Sequence, residues 1–514
     1  MSSRPIAASL PGKAPPRRPR RAAGRATDMR RPRLALALLA IGLAGCTVGP
    51  DYVRPPIDAP AAFRFEAAQV AETADAEWWK QYGDPVLDRL IAQALEANRN
   101  VKIAAANVEA AAAIVTQARA PMFPQIGYGA AAERARFSEA GGSPLSGYVA
   151  NPRNLYQGSF TATWEIDLWG RIRRQTEAAQ ANLLGTEQAR RGAILSLVAN
   201  VASSYLQLRG LDEALEVAKK TQQVYAESLQ IFRYQFEYGQ VSQMNVAQAQ
   251  SQYETASAQI PAIEQQIAQL ENAISVLVGS NPGPIPRGKT VAELTSPPVP
   301  AGLPSQLLER RPDIMQAEAQ LVAANARIGA AKALYFPTIS LTGAFGAASS
   351  DLSSLFKGPA STWSFAGSIV GPIFTAGLVS GQVAQAEATQ QAALFGYEQT
   401  IQSAFADVSN ALVARQMLLE QVAAQERLVR ALRDYSRLAR LQYDGGYSPY
   451  STVLQAEQSL FPAELTLATL RASAAGSVAN LYKAMGGAWI DRADAMTGGA
   501  ASGGLRQAQA PGSR

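Results

Sequence analysis

Phe160-Thr161-Ala162-Thr163-Trp164-Glu165-Ile166-Asp167-Leu168 alternates apolar and polar residues with a period of two. That is the pattern of an extended strand with one greasy and one wet face. Three further segments repeat it. Ile126, Tyr128, Ala130 and Ala132 alternate with Gln125, Gly127 and Glu133. Ile339, Leu341 and Phe345 alternate with Thr338, Ser340 and Thr342. Trp363, Phe365 and Ile369 alternate with Ser364 and Ser368. With boundaries near 124–133, 158–168, 337–346 and 362–373, each segment is about the 9–11 residues that a tilted strand needs to cross a bilayer. An ordinary half-buried sheet alternates in the same way, so the strands alone leave both readings open.

Around the strands the chain reads helical. Arg171 to about Tyr238 and Leu378 to about Tyr443 contain no proline. Each run is roughly 65 residues, or about 100 Å at ~1.5 Å per residue, where ordinary helices have about 11–12 residues. In the second run Ile401, Phe405, Val408, Leu412, Leu419, Val422 and Val429 form a heptad seam. Pro449 follows the Gly445-Gly446 turn, where a new helix begins and runs back to about Met485.

The layout is duplicated. Met122-Phe123-Pro124-Gln125-Ile126 matches Tyr335-Phe336-Pro337-Thr338-Ile339 at an offset of 213, and Arg233 through Gly239 matches Arg440 through Gly446 at 207. Ala247-Gln248-Ala249-Gln250 matches Leu454-Gln455-Ala456-Glu457. Each half reads helix, strand, loop, strand, very long helix, turn, helix. The loops 134–156 and 347–360 are rich in Gly, Ser, Pro and Asn, and outer-membrane barrels place their longer loops outside the cell.

Composition removes several chemistries. The 514 residues include no histidine and one cysteine, which excludes a Ser-His-Asp triad, imidazole metal sites, internal disulfides and multi-thiolate zinc sites. No cofactor, metal or enzyme constellation emerges. The formal charge of +6 is uneven: residues 1–45 carry 10 Lys/Arg and one acid, leaving 37 basic and 40 acidic residues in the remainder. No basic domain remains to bind nucleic acid.

Arg30-Arg31-Pro32-Arg33 precedes the apolar run Leu34–Leu43, which ends in Leu43-Ala44-Gly45-Cys46. A basic region, a short apolar region and small residues before a cut site make a secretory signal, too short for a permanent span. Met29 alone starts a leader of ordinary length. The last four residues resemble a bacterial lipobox, which implies lipidation of Cys46 and cleavage before it. Thr47 rather than aspartate follows, which favours outer-membrane sorting.

Four strands cannot close a membrane barrel, since bacterial barrels have at least about eight, and open edges in lipid leave backbone groups unpaired. Several chains must therefore share one barrel. Two would supply eight strands and three would supply twelve; the physics permits either.

These features resemble the TolC-like outer-membrane efflux proteins, in the lipoprotein (NodT-type) branch that serves resistance-nodulation-division pumps. The resemblance runs from Cys46 to about Met485. It rests on Cys46-Thr47-Val48-Gly49-Pro50-Asp51-Tyr52, Trp78-Trp79 with Tyr82-Gly83-Asp84-Pro85, Trp164 through Gly170, Arg310-Arg311-Pro312-Asp313-Ile314, Phe336-Pro337, and Tyr443 through Ser459. It implies a mainly α chain with transmembrane β-strands. The homotrimer would have a 12-stranded barrel continuous with a helical barrel, and would dock with a periplasmic adaptor and an inner-membrane pump. The expected organisation is a signal peptide at 1–45, a lipid-anchored equatorial segment at 46–84, a first repeat at 85–278 and an equatorial linker at 279–310. A second repeat at 311–485 and a partly disordered tail at 486–514 complete it. Residue by residue, Arg311-Pro312-Asp313 also reads as a helix start, and Trp78-Trp79 as packing between subunits.

The resemblance places the periplasmic constriction at Tyr443 to Ala456, with Tyr443 matching a gating tyrosine. Thr452 and Gln455 stand where aspartates are often found, and Asn245 is the first-repeat equivalent. Neutral groups concentrate cations less than a carboxylate ring does, so weaker cation preference is expected. Gly283-Pro284-Ile285-Pro286-Arg287-Gly288-Lys289-Thr290 fits the literal P-loop pattern, but two prolines remove amides and no strand precedes it. It reads as a connector, with no nucleotide bound. The alternative to a channel is an envelope-spanning periplasmic coiled-coil lipoprotein scaffold without a pore.

Overall fold

The computed structural model describes residues 47–57, 77–138, 150–298, 304–487 and 489–497. Cys46 and the signal segment with Met29, the stretch 58–76, the tip of the first loop and the tail from 498 lie outside the described residues. The elements in order are α1 (Pro85–Ala97), α2 (Arg99–Arg119), β1 (Gln125–Ala135), β2 (Arg153–Ile166), α3 (Arg171–Glu237) and α4 (Gln243–Leu277). Then come α5 (Pro304–Arg310), α6 (Pro312–Lys332), β3 (Thr338–Ser349), β4 (Ser361–Val370), α7 (Leu378–Asp444), α8 (Tyr450–Ala484) and α9 (Ile490–Met496).

The duplication is visible in the element lengths. α2 and α6 have 21 residues each, α3 and α7 have 67, and α4 and α8 have 35. At about 1.5 Å per residue the two long helices each run roughly 100 Å. α3 packs against α4 and α8 along one half and against α2 and α6 along the other; α7 packs against α8 and α6. α8 and α6 thus fill successive halves of one slot between α3 and α7. Arg311 seals the joint. Its buried guanidinium donates to the Ala484 carbonyl at 2.9 Å and to the carboxylates of Asp313 (2.6 Å) and Asp407 (2.9 Å). Pro312 in the first turn of α6 needs no amide partner.

Of the heptad positions on α7, Ile401, Val408, Leu412 and Val429 are buried, Phe405 and Val422 are half-buried, and Leu419 is 49% exposed. One chain covers only part of that seam. No described helix is long and apolar enough to cross a membrane.

The sheet is antiparallel in the order β1-β2-β3-β4. Its strands differ at their ends from the sequence reading. β1 and β2 pair as far as Ala135 with Arg153, so the first loop is shorter than 134–156. β2 ends at Ile166 rather than 168 because Asp167 turns away to cap α3, accepting from the amides of Ile172 (3.1 Å) and Arg173 (2.8 Å). β4 ends at Val370 rather than 373, followed by Gly371 and Pro372, a residue without an amide to continue the ladder.

A second core lies where three distant stretches meet. Trp78 and Trp79, in the short turn Trp78–Tyr82, are buried against Tyr482 and Trp489 of the same chain. This corrects the reading of these tryptophans as subunit-packing residues: their partners are supplied within the chain. Tyr82 donates to the Ala475 carbonyl at 2.7 Å, and its own carbonyl accepts from Thr295 at 3.3 Å. Trp489 and α9 belong to this core, so the expected tail begins with a packed helix. Residues 47–57 are elsewhere. Val48 donates to the Trp169 carbonyl at 3.0 Å, Asn325 donates to the Pro50 carbonyl at 3.0 Å, and Tyr52 donates to Glu318 at 3.1 Å. The first part of the 46–84 segment therefore runs along α3 and α6 beside the sheet, apart from Trp78.

Candidate pore and gate

The register sorts the sheet into two faces. Tyr128 pairs with Phe160, Phe160 with Phe345, and Phe345 with Trp363, so one aromatic row crosses all four strands. Ile166, Ile339 and Ile369 form a second row, and Trp164 with Leu341 lie between the two. Phe365 shares this face. These side chains are bare in the single chain: Phe160 is 62%, Trp363 71% and Tyr128 87% exposed. The opposite face carries Gln125, Gly127, Thr161, Thr163, Ser340, Thr342, Ser364 and Ser368. At Gly346 an added Cβ would overlap the β2 backbone at Gly158 and Ser159, so the close approach of β2 and β3 requires glycine there. An apolar face that wide has no cover among the described residues, and β1 and β4 each have one unpaired edge.

The joint between sheet and helices uses the Trp164–Gly170 stretch. Arg171 holds Glu165 through both carboxylate oxygens (2.8 and 2.7 Å). Trp169 stacks on Phe336, with ring centroids 4.6 Å apart, and donates to the Pro337 carbonyl at 2.8 Å. Gly170 takes φ +80 at the entry to α3, and Gly377 takes φ +89 at the entry to α7. The same left-handed glycine therefore turns strand into helix in both halves.

At the other end, the α3–α4 and α7–α8 turns share one apolar tip. Phe232 lies 4.1 Å from Tyr450 and 6.3 Å from Tyr443, and Tyr443 lies 5.4 Å from Tyr450, between ring centroids. Tyr443 and Thr452 are half-buried and Gln455 is exposed on the first turns of α8. Asn245 opens α4, where its side chain accepts from Ser242 Oγ at 3.0 Å. Val241 and Val246 pack on the same cluster, so all four sequence-selected residues gather at this end.

Sequence reading missed Glu457. It is buried at 6% exposure among Val453, Leu454 and Phe461 on α8. Arg440 of α7 stands 3.7 Å away and also donates to Ser228 of α3 at 3.1 Å. One carboxylate oxygen of Glu457 has no hydrogen-bond partner among the described residues. Burial pushes this carboxyl above its ordinary range, with Arg440 opposing. The signal was present: an acid at Glu457 interrupts the apolar stripe Leu454–Phe461, where the first repeat has Gln250.

In the connector 283–290 the backbone amides at the end of the P-loop pattern already have partners. The Gly288 amide donates to Tyr205 Oη (2.9 Å) and the Lys289 amide to Asp84 (3.0 Å), while Tyr205 donates to Asp84 at 2.8 Å. A Cβ at Gly288 would overlap the Asp84 carboxylate. The Lys289 amide already faces the chain's own buried carboxylate, and the Gly288 amide is taken by the Tyr205 hydroxyl that donates to it.

A two-faced sheet with open edges, continuous with helices of roughly 100 Å, defines a channel protein whose strands lie in a membrane and whose helices project from it. The family model described as "Outer membrane efflux protein" matches residues 90–280 and 303–487. Cation efflux system protein CusC of Escherichia coli is 37% identical over 460 residues, covering 88% of this chain and 97% of that one. Probable efflux pump outer membrane protein TtgC of Pseudomonas putida is 37% identical over 470 residues, covering 89% and 96%. The open-state crystal structure of the Neisseria gonorrhoeae MtrE outer membrane channel superposes with a TM-score of 0.78 at 33% identity, covering 86% of this chain and 99% of that one. The chain belongs to the outer membrane efflux protein family. It is a channel of the outer membrane, reaching into the periplasm, in a family of transport proteins.

Proposed function

We propose that three copies of this chain close one barrel and one tunnel, forming the exit duct of a tripartite pump for small toxic compounds. The observation that carries this is the sheet itself: four strands, one apolar face and two unpaired edges. Three times four strands gives twelve, which closes the edges and leaves a lumen, whereas eight strands leave an interior filled by side chains. The small polar face would then line the pore. A scaffold without a pore has no use for that sheet.

The rest of the reading follows the same geometry. Lipidation at Cys46 is supported by Val48 and its bond to Trp169, which hold the neighbouring chain at the joint between sheet and helices. The stretches around Trp78–Tyr82, 291–298 and α9 form the equatorial layer, supported by their shared core on α8. The tip containing Tyr443, Thr452, Gln455 and Asn245 is the periplasmic constriction. It meets a membrane-fusion adaptor and a resistance-nodulation-division pump, and its neutral side chains lower cation preference. Cargo passes by diffusion, with no nucleotide and no cofactor.

Native mass spectrometry of detergent-purified protein counts the chains, and planar-bilayer recording detects the pore. Trimers with stable conductance are expected. A water-soluble monomer without conductance would overturn the reading.

A further inference from the structure

The apolar face of the sheet carries a groove of about 430 Å³ at the end remote from the helices. Tyr128, Phe160 and Phe345 wall it on one side, and Leu355, Phe356 and Lys357 of the β3–β4 loop wall it on the other. The loop is built. Backbone bonds join Ser354 to Asp351 (3.0 Å), Lys357 to Ser354 (3.1 Å) and Ala360 to Lys357 (2.9 Å). Leu355 is buried, whereas Phe356 beside it is 93% exposed. An ordered loop that holds a phenyl ring outward is costly in water and favourable against hydrocarbon.

Charge decides which lipid fits. Lys357 has no acidic partner among the described residues, and neither has Arg134. Arg134 stands on the same face as Tyr128, Ala130 and Ala132 by strand alternation, at the end of β1 that carries the loops. Lys357 thus lines the groove from the β3–β4 loop, and Arg134 stands at the loop end of β1, six residues beyond Tyr128 on the same apolar face. We propose that this groove binds an anionic, multiply acylated glycolipid of the outer leaflet, with an acyl chain along the aromatic row and phosphates at Lys357 and Arg134. The inference goes beyond the channel reading but rests on the sheet being in the outer membrane. A zwitterionic phospholipid satisfies the wall and leaves the cations uncompensated, while basic residues at a membrane surface select anionic headgroups.

The test uses delipidated full-length protein in detergent and native mass spectrometry. The probes are a diphosphorylated, multiply acylated glucosamine disaccharide, phosphatidylglycerol and phosphatidylethanolamine. The disaccharide lipid should bind most tightly. Lys357→Glu should weaken it roughly tenfold with phosphatidylethanolamine retention unchanged, whereas Phe356→Ser should weaken both lipids. Lys220→Glu on α3 is the control and should bind as the parent does. Equal glycolipid binding by parent, Lys357→Glu and Phe356→Ser would overturn the proposal, as would phosphatidylglycerol binding equally well. Conductance recorded on the same preparations separates the two readings: a conducting channel without glycolipid preference overturns this inference alone.

Discussion

Trp78 lies flat on Tyr482, with ring centroids 5.2 Å apart and planes inclined by 14°. Trp489 meets Trp79 edge-on at 5.1 Å, so the segment before α1, the end of α8 and the segment before α9 close on one aromatic core. Truncating a buried large aromatic costs about 3–5 kcal/mol. Trp79→Ala should lower the thermal midpoint of the detergent-solubilised protein clearly, while Tyr447→Ala, at an exposed position, should barely move it. Equal midpoints for the two variants would contradict this.

Gly288 is the one glycine of the connector pattern whose space is taken by Asp84. Gly288→Ala should destabilise the fold by roughly 1–3 kcal/mol, the cost of displacing a buried hydrogen-bonded carboxylate. Gly283→Ala, whose added Cβ would meet the Asn281 carbonyl at an ordinary 3.9 Å, should be nearly neutral. Denaturation of the two variants decides it, and both should lack nucleotide binding.

The two sheet faces should respond differently to charge. Arginine facing lipid near the bilayer midplane costs about 2–4 kcal/mol, so Phe160→Arg should reduce folded barrel in membranes. Thr163→Arg, on the opposite face, should insert normally and shift ion selectivity toward anions. Heat-modifiability on gels measures the first effect and reversal potential the second. Identical behaviour of the two variants would remove the assignment of faces.

The neutral tip predicts its own conversion. Gln455→Asp places a carboxylate on the exposed face of α8, Thr452→Asp adds one at a half-buried position beside it, and carboxylate rings favour cations. Cation selectivity and block by divalent ions should both increase in single-channel recordings. Strong cation selectivity already present in the parent would contradict the neutral-gate reading.

Glu457 makes the tip pH-dependent. Burial raises its folded pKa above the unfolded value, with Arg440 as the nearest opposing charge and Tyr225 and Tyr450 packed nearby. The folded tip therefore binds the proton more tightly than the unfolded chain does. This stabilisation is full below about pH 4.3, the ordinary carboxylate value, and is lost as pH rises through the raised folded value. Hydrogen exchange of 443–457, corrected for intrinsic rate, should show protection falling over that window. Glu457→Gln should flatten the slope, and an unchanged slope in that variant would rule Glu457 out as the group responsible.

Local pattern was enough for the elements. Period-two alternation marked the strands, the absence of proline marked α3 and α7, and the internal repeat tied the halves together, because each signal is carried by near neighbours in the chain. The ends were less legible. Leu168 continues the alternation in the sequence, yet Asp167 is worth more as the cap of α3 than as a strand residue. Glu457 interrupts an apolar stripe in the sequence, but its burial followed only when α3 and α7 closed around it.

The sequence by itself determined that the strands have two faces, that the chain is duplicated, and that four strands cannot close alone, since all three depend on residue order and hydrogen-bond counting. Only the tertiary structure decided that Trp78 finds its partners within the same chain and that Asp84 occupies the nest the glycine-rich connector offers. It also decided that residues 47–57 lie beside the sheet rather than with Trp78. Those outcomes depend on which distant segments meet, and a contact between residues hundreds of positions apart leaves no periodic trace in either one.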